Sequence, residues 1–278
     1  MENGLSFRKM NGLGNDFVIV DNRARPRAIN AALVRSVADR RTGVGCDQFI
    51  VLESPRDSLA DVFMRIHNHD GQEVEACGNA ARCVASLMLA ETGKKQVILE
   101  TVVGLLDAEA AASGEIAVDM GQARLDWRDI PVKEAVDTLH LNVTEGPLTD
   151  PVGVNMGNPH AVFFVDDAET VDLRRWGPLI ETHPYFPERA NVEVVQVISN
   201  ARLRMRVWER GVGITRACGT GACAALVAAA RRKLTGRSAE VILDGGILQI
   251  EWLPDNNVLM TGPVATAFSG IIDPTLLA

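Results

Sequence analysis

The feature that most constrains this chain is a motif written twice. Glu75-Ala76-Cys77-Gly78-Asn79-Ala80-Ala81-Arg82-Cys83 and Arg216-Ala217-Cys218-Gly219-Thr220-Gly221-Ala222-Cys223-Ala224 each place a cysteine and a glycine at the mouth of an apolar run. Met64-Arg65-Ile66 and Met205-Arg206-Val207 precede the two cysteines, and both markers repeat at a separation of 141 positions. Asn15 followed by Phe17 to Asp21 echoes Asn158 followed by Val162 to Asp166, and Val97 to Glu100 echoes Val241 to Asp244. Four markers kept in order at an offset near half the length describe two related domains with a cleft between them. We expect an N-terminal domain over 1–121, joined by a C-terminal tail 264–278, and a second domain over 122–263.

The chain has 278 residues, enough to bury two cores. A net charge of −8 gives no electrostatic footprint for nucleic acid. No leader-like apolar core opens the sequence and no apolar run of about 18 residues follows, which argues against a membrane partner. Five cysteines, an odd number without the density of a disulfide framework, fit a reducing compartment, so a cytoplasmic protein is expected.

Strands are expected over Phe17 to Asp21, Phe49 to Leu52, Val62 to Ile66, Gln96 to Glu100 and Ile116 to Asp119. The second half repeats them over Ala161 to Val165, Val192 to Ile198, Leu203 to Trp208, Val241 to Leu243, Ile247 to Trp252 and Val258 to Thr261. Between them lie a short helix over Ala31 to Asp39 and two helices without a polar face, Gly78 to Thr92 and Gly219 to Arg232; such helices are buried. Gly93 stands where the residue after a helix belongs. Gln122 to Pro151, charged and proline-bearing, reads as the join. Many strands around few helices make the fold α+β, each domain a mixed or antiparallel sheet wrapped round a central helix.

A cysteine at a helix N-terminus has its thiolate stabilised, and an unperturbed thiol already titrates near ~8.5. The backbone N–H groups that follow it, at Gly78-Asn79 and Gly219-Thr220, are orphan donors suited to a carboxylate. Two such sites face to face would bracket one carbon with two thiols, which suits inversion of an amino-acid stereocentre by proton transfer. No C-x-x-C or H-E-x-x-H supports a metal site, no Walker lysine a phosphate loop, no G-x-S-x-G a serine hydrolase. A lone catalytic cysteine would leave the second copy unexplained.

Met10 to Phe17, Gly43-Val44-Gly45-Cys46-Asp47-Gln48, Asn68 with Asp70-Gly71, Ala76-Cys77-Gly78-Asn79, Gly157-Asn158-Pro159-His160, Glu209-Arg210-Gly211 and Ala217-Cys218-Gly219-Thr220-Gly221 together resemble the diaminopimelate epimerases. The match runs from the N-terminus to past Cys223, in order. The resemblance implies cofactor-independent interconversion of LL- and meso-diaminopimelate, an isomerase step in lysine and peptidoglycan precursor biosynthesis, carried out by a homodimer of two pseudo-symmetric domains. It implies Cys77 and Cys218 as the acid/base pair. Gly78, Asn79, Gly219 and Thr220 would bind the reacting carboxylate. Asn15, Gln48, Asn68, Asn158, Asn191, Glu209 and Arg210 would bind the rest of the substrate, and His160 and Glu209 would tune the thiols. One departure is Ile214, where the family often has glutamate. Cys46, Cys83 and Cys223 read as packing thiols. The nearest rival is a related cofactor-independent racemase of the proline or hydroxyproline type. A relative of the phenazine-biosynthesis isomerase type would lack the cysteine pair, and from another class a thiol redox protein or an amino-acid binding module is the alternative.

Overall fold

The computed structural model describes residues 4–75 and 77–276. Met1 to Asn3, Ala76 of the first motif and the last two residues of the 264–278 tail lie outside them. The chain divides into two compact units, Met1–Val118 with Gly262–Ala278, and Asp119–Thr261.

The first unit contains β1 (Leu5–Gly12), β2 (Asn15–Asp21), α1 (Ala31–Ala38), β3 (Gln48–Glu53), β4 (Val62–Asn68), β5 (Glu73–Val74), α2 (Gly78–Thr92), β6 (Gln96–Thr101), β7 (Gly104–Ala110) and the start of β8 (Ile116–Gln122). The second contains β9 (Thr144–Glu145), β10 (Leu148–Thr149), β11 (Val152–Asn155), β12 (Pro159–Val165), α3 (Leu173–Glu181), β13 (Asn191–Ser199), β14 (Arg202–Glu209), β15 (Gly213–Ile214), α4 (Gly219–Arg231), β16 (Ser238–Leu243), β17 (Gly246–Trp252) and most of β18 (Asn257–Gly262). The chain then re-enters the first unit as β19 (Ala265–Ile272), antiparallel to β1.

The repeat read from sequence is a repeat of topology. In the first unit β1–β2 is antiparallel, β2–β3 parallel, β3–β4 antiparallel, β4–β6 parallel, and β6–β7 and β7–β8 antiparallel. In the second, β11–β12, β12–β13, β13–β14, β14–β16, β16–β17 and β17–β18 run through the same alternation. Both sheets are mixed, as each parallel pair needs a crossover that a hairpin cannot supply. The register matches too: Phe17 pairs with Gln48 in the first unit and His160 with Asn191 in the second.

Each sheet curls round its own buried helix. Helix α2 packs on β1, β6 and β7, and α4 on β11, β12, β16 and β17. In α4 every residue from Ala222 to Ala229 is fully buried, and the alanines among them let strands approach on all sides. The outer faces of the sheets are covered separately. Val18, Val20, Phe49 and Val51 pack with Val34 and Val37 of α1, while Phe163, Val192 and Val194 pack with Leu173 and Ile180 of α3. Strand residues alternate between faces, so Phe17 and Ile50 point at α2 while His160 and Glu193 point at α4.

The stretch after Gln122 differs from the expectation of a join. Ile130, Val132, Leu141, Val143 and Leu148 are buried in the core of the second unit, so the prolines and charges there punctuate a packed loop. Among the described residues no helix is long and apolar enough to cross a membrane.

Candidate active site

Each unit gathers candidate site residues at the start of its central helix. In the first, Cys77 is the residue before α2, in an extended conformation with φ −151° and ψ 108°. The first helical bond runs from Ala81 N–H to the Cys77 carbonyl at 2.9 Å, so the N–H groups of Gly78 and Asn79 stand at the N-terminal end of the helix, before its ladder begins. The Cys77 thiol lies 3.7 Å from Oδ1 of Asn15, which also accepts from Asn79 Nδ2 at 3.4 Å. Behind Asn79, the fully buried Arg82 donates to its Oδ1 at 2.9 Å.

Asn15 is oriented by a charged frame. Its Nδ2 donates to Asp47 at 3.0 Å, leaving Oδ1 for the thiol side. Asp47 and Asp16 each accept the other's backbone N–H at 3.0 Å. Arg40 bridges both carboxylates, and the buried Lys9 pairs with Asp16 at 2.5 Å. Burial alone would raise the Asp16 pKa, but its bonds to Arg40, Lys9 and Asp47 outweigh that and hold it far below the usual carboxylate range. Gln48 and Asn68, facing each other across β3–β4, are joined by a 3.1 Å bond from Gln48 Nε2 to Asn68 Oδ1.

In the second unit Cys218 caps α4: its Sγ accepts from Gly221 N–H at 3.4 Å and lies 3.5 Å from Thr220 Oγ1. Asn191 and Glu209 occupy the strand ends that Gln48 and Asn68 occupy in the first unit, and Asn158 immediately precedes β12 as the counterpart of Asn15 at the start of β2. Asn158 Oδ1 sits 2.8 Å from His160 Nε2, and His160 Nδ1 lies 2.7 Å from Oε1 of Glu193. Asn191 donates to the Pro159 carbonyl and accepts from Arg210 N–H, which fixes the turn after β14. The Arg210 side chain is exposed and reaches the Glu188 carbonyl at 3.1 Å. Glu209 accepts from Thr215 Oγ1, and burial raises its carboxyl pKa.

The thiol chemistry of Cys218 differs from the sequence expectation. The helix terminus favours a lowered pKa, yet burial, with the charges of Glu209 and Glu193 adding to it, pushes this thiol well above its ordinary value. Desolvation wins because Cys218 is 5% exposed and the dipole effect is modest by comparison. All five cysteines are thiols, and Cys46, Cys83 and Cys223 are buried in packing positions. Among the described residues no cluster of histidine, cysteine and carboxylate groups could hold a metal ion.

The model of the family described as diaminopimelate epimerase matches residues 7–125 and 152–267. The chain belongs to the diaminopimelate epimerase family. It is 60% identical over 271 residues to the diaminopimelate epimerase of Rhodospirillum centenum, covering 98% of this chain and 93% of that one. With that of Erythrobacter litoralis it shares 55% identity, covering 97% of each. Solved structures share the fold at low identity. A phenazine biosynthesis protein from Bacillus anthracis has a TM-score of 0.68 at 16% identity, covering 98% of this chain and 99% of that one. A hydroxyproline epimerase from Agrobacterium vitis has a TM-score of 0.65 at 16% identity, covering 99% and 94%.

Within this diaminopimelate epimerase family fold, the first unit gathers Asn15, Cys77, Gly78 and Asn79, with Gln48 and Asn68 as a second pair on the β3–β4 ends. The second gathers Asn158 with His160, Asn191 with Arg210, and Cys218 with Gly219 and Thr220 beside Glu209. Sequence reasoning did not single out Asp16, Arg82, Glu181, Glu193 or Thr215. Glu181 holds the Glu209-Arg210-Gly211 turn by accepting from Trp208 Nε1 at 2.7 Å and Gly211 N–H at 3.0 Å. Ile214 pairs with Trp208 on β15, and Thr215 beside it supplies the polar contact to Glu209. A polar residue inside an apolar strand, as Glu193 is between Val192 and Val194, was the one available signal.

Proposed function

We propose that this chain interconverts LL- and meso-diaminopimelate without a cofactor, with Cys77 and Cys218 removing and supplying the Cα proton on opposite faces of one carbon. The observation that carries the reading is the repeated arrangement: in each unit a cysteine is the residue immediately before a buried helix, beside the first N–H groups of that helix. Those groups, at Gly78-Asn79 and Gly219-Thr220, hold the reacting carboxylate and stabilise the charge that builds as the Cα–H bond breaks. One thiol acts as thiolate base and the other as acid, and the roles exchange with direction. Asn15, Gln48, Asn68, Asn158, Asn191, Glu209 and Arg210 serve the substrate's two amino-acid ends, with Asn amides and a Glu-Arg pair matching both donors and acceptors. His160 and Glu209 adjust Cys218. The same reading makes the protein a cytoplasmic homodimer in lysine and cell-wall precursor synthesis.

Proton NMR in heavy water tests it. With LL-diaminopimelate and no added cofactor, deuterium should enter Cα as the meso form appears, and Cys77→Ala and Cys218→Ala should each abolish this. Exchange on proline or hydroxyproline in place of diaminopimelate would move the substrate to the rival racemase class; no exchange on any of them would end the reading.

A further inference from the structure

The two halves share a topology, but the layer beneath their thiols differs. Phe17 and Ile50, both fully buried, face α2 in the first unit. The same register positions in the second unit hold His160 and Glu193, both 0% exposed and both facing α4. The Glu193 Oε1 contacts His160 Nδ1 at 2.7 Å, and its Oε2 has no hydrogen-bond partner among the described residues. A buried carboxylate with an unmet oxygen is costly, and the first unit demonstrates that an apolar pair suffices for this fold. The Glu193 carboxylate and the thiol both border Gly221: a Cβ there would lie 2.9 Å from Glu193 Oε1 and 3.3 Å from Cys218 Sγ. Glycine at 221 therefore leaves free the space that both carboxylate and thiol border.

We propose that Glu193 is a positioning residue that makes the two thiols unequal: held by His160 and bordering the same Gly221 as Cys218, its carboxylate keeps Cys218 as the protonated partner, whereas the first unit holds Phe17 and Ile50 at the equivalent register positions. The proposal rests on the two-thiol reading above. The titratable groups around the Glu193 carboxylate are His160 from β12, Glu209 from β14 and Cys218 at the head of α4. Of these, Glu209 is itself a candidate site residue, whereas the hydrogen bond of Glu193 goes to His160, which bonds in turn to Asn158. In LL-to-meso turnover, Cys77 as thiolate takes the Cα proton and Cys218 returns its own S–H proton to the opposite face, so the thiols exchange protonation states and no other reactant is needed.

The test measures the pH dependence of iodoacetamide alkylation at each cysteine of the full-length protein, by peptide mass spectrometry, beside the pH profile of kcat. Glu193→Gln removes the charge and keeps the shape; the Cys218 midpoint should fall by about one pH unit or more while that of Cys77 stays put. The kcat profile should move with Cys218. A double replacement, His160→Phe with Glu193→Ile, copies the first unit's own apolar pair and keeps the test open if the amide variant does not fold. It should lower the Cys218 midpoint likewise. Unchanged Cys218 midpoints in the folded variants, or equal shifts at both thiols, would overturn the proposal, because a purely structural role would alter melting temperature and leave titration alone. Alkylation needs no turnover, so a chain inactive on diaminopimelate would still report on Glu193, and the two readings fail separately.

Discussion

The amide of Asn15 is useful because it is already half spent. Its Nδ2 is committed to Asp47, so only Oδ1 is presented toward Cys77 and Asn79. That orientation depends on Asp16, whose carboxylate anchors Arg40 and Lys9. Because the folded-state pKa of Asp16 lies below that of an unfolded aspartate, its contribution to stability is complete above about pH 4 and is lost as pH falls toward the folded value. Urea midpoints measured from pH 7 to pH 3 should therefore fall, and Asp16→Asn should start lower at pH 7 and fall less steeply; parallel curves would refute the assignment. Gly221 offers a second residue-level test. On an open helix surface Gly→Ala gains about 1 kcal/mol. Here the new methyl meets Glu193 Oε1 at 2.9 Å and Cys218 Sγ at 3.3 Å. Gly221→Ala should instead cost roughly 1–3 kcal/mol in urea unfolding and depress kcat, and a stabilised variant would contradict the packing.

At the scale of elements, the two central helices were the most legible parts of the sequence, since an apolar run with no polar face has few places to go except a core. Gly78–Thr92 agrees with its expected bounds, and α4 ends one residue before the expected Arg232. Gly93 closes α2 with φ 67°, its N–H bonded to the Leu89 carbonyl at 3.0 Å, and a Cβ there would meet nothing within 4 Å. Gly93→Ala should thus cost about 1 kcal/mol from backbone conformation alone, read as a lowered melting temperature with unchanged turnover. Other elements were illegible for physical reasons. Helix α3 carries Pro178 inside it and Gly177 against the Trp208 ring, so its pattern lacks ordinary helix formers. Strand β1 buries Lys9, whose charge is matched by Asp16 from the next strand. Strand β19 is mostly exposed along an edge and shows no apolar alternation.

For the whole molecule, the spacing of a few markers was enough to read a doubled fold, because each marker sits at a strand end or helix start that the topology repeats. The candidate site residues followed from that doubling and from the family resemblance, whereas Glu193 and Arg82 did not: each is one charge within an apolar run, and the partner that explains its burial comes from tertiary or helical contact. The five cysteines allow the arrangement to be tested in one experiment. Cys77 is half-buried at a helix start, while Cys46, Cys83, Cys218 and Cys223 are buried. Burial pushes the Cys46 thiol up to about 11 and the Cys83 thiol up to about 12, and the thiolate is the reactive form. Limiting iodoacetamide at neutral pH should therefore label Cys77 first and remove activity in step with that single modification. Cys46 and Cys83 should react only when urea exposes them, because neither access nor ionisation is available in the folded chain. If Cys83 were labelled as fast as Cys77, α2 could not be the buried helix on which the first half-site is built.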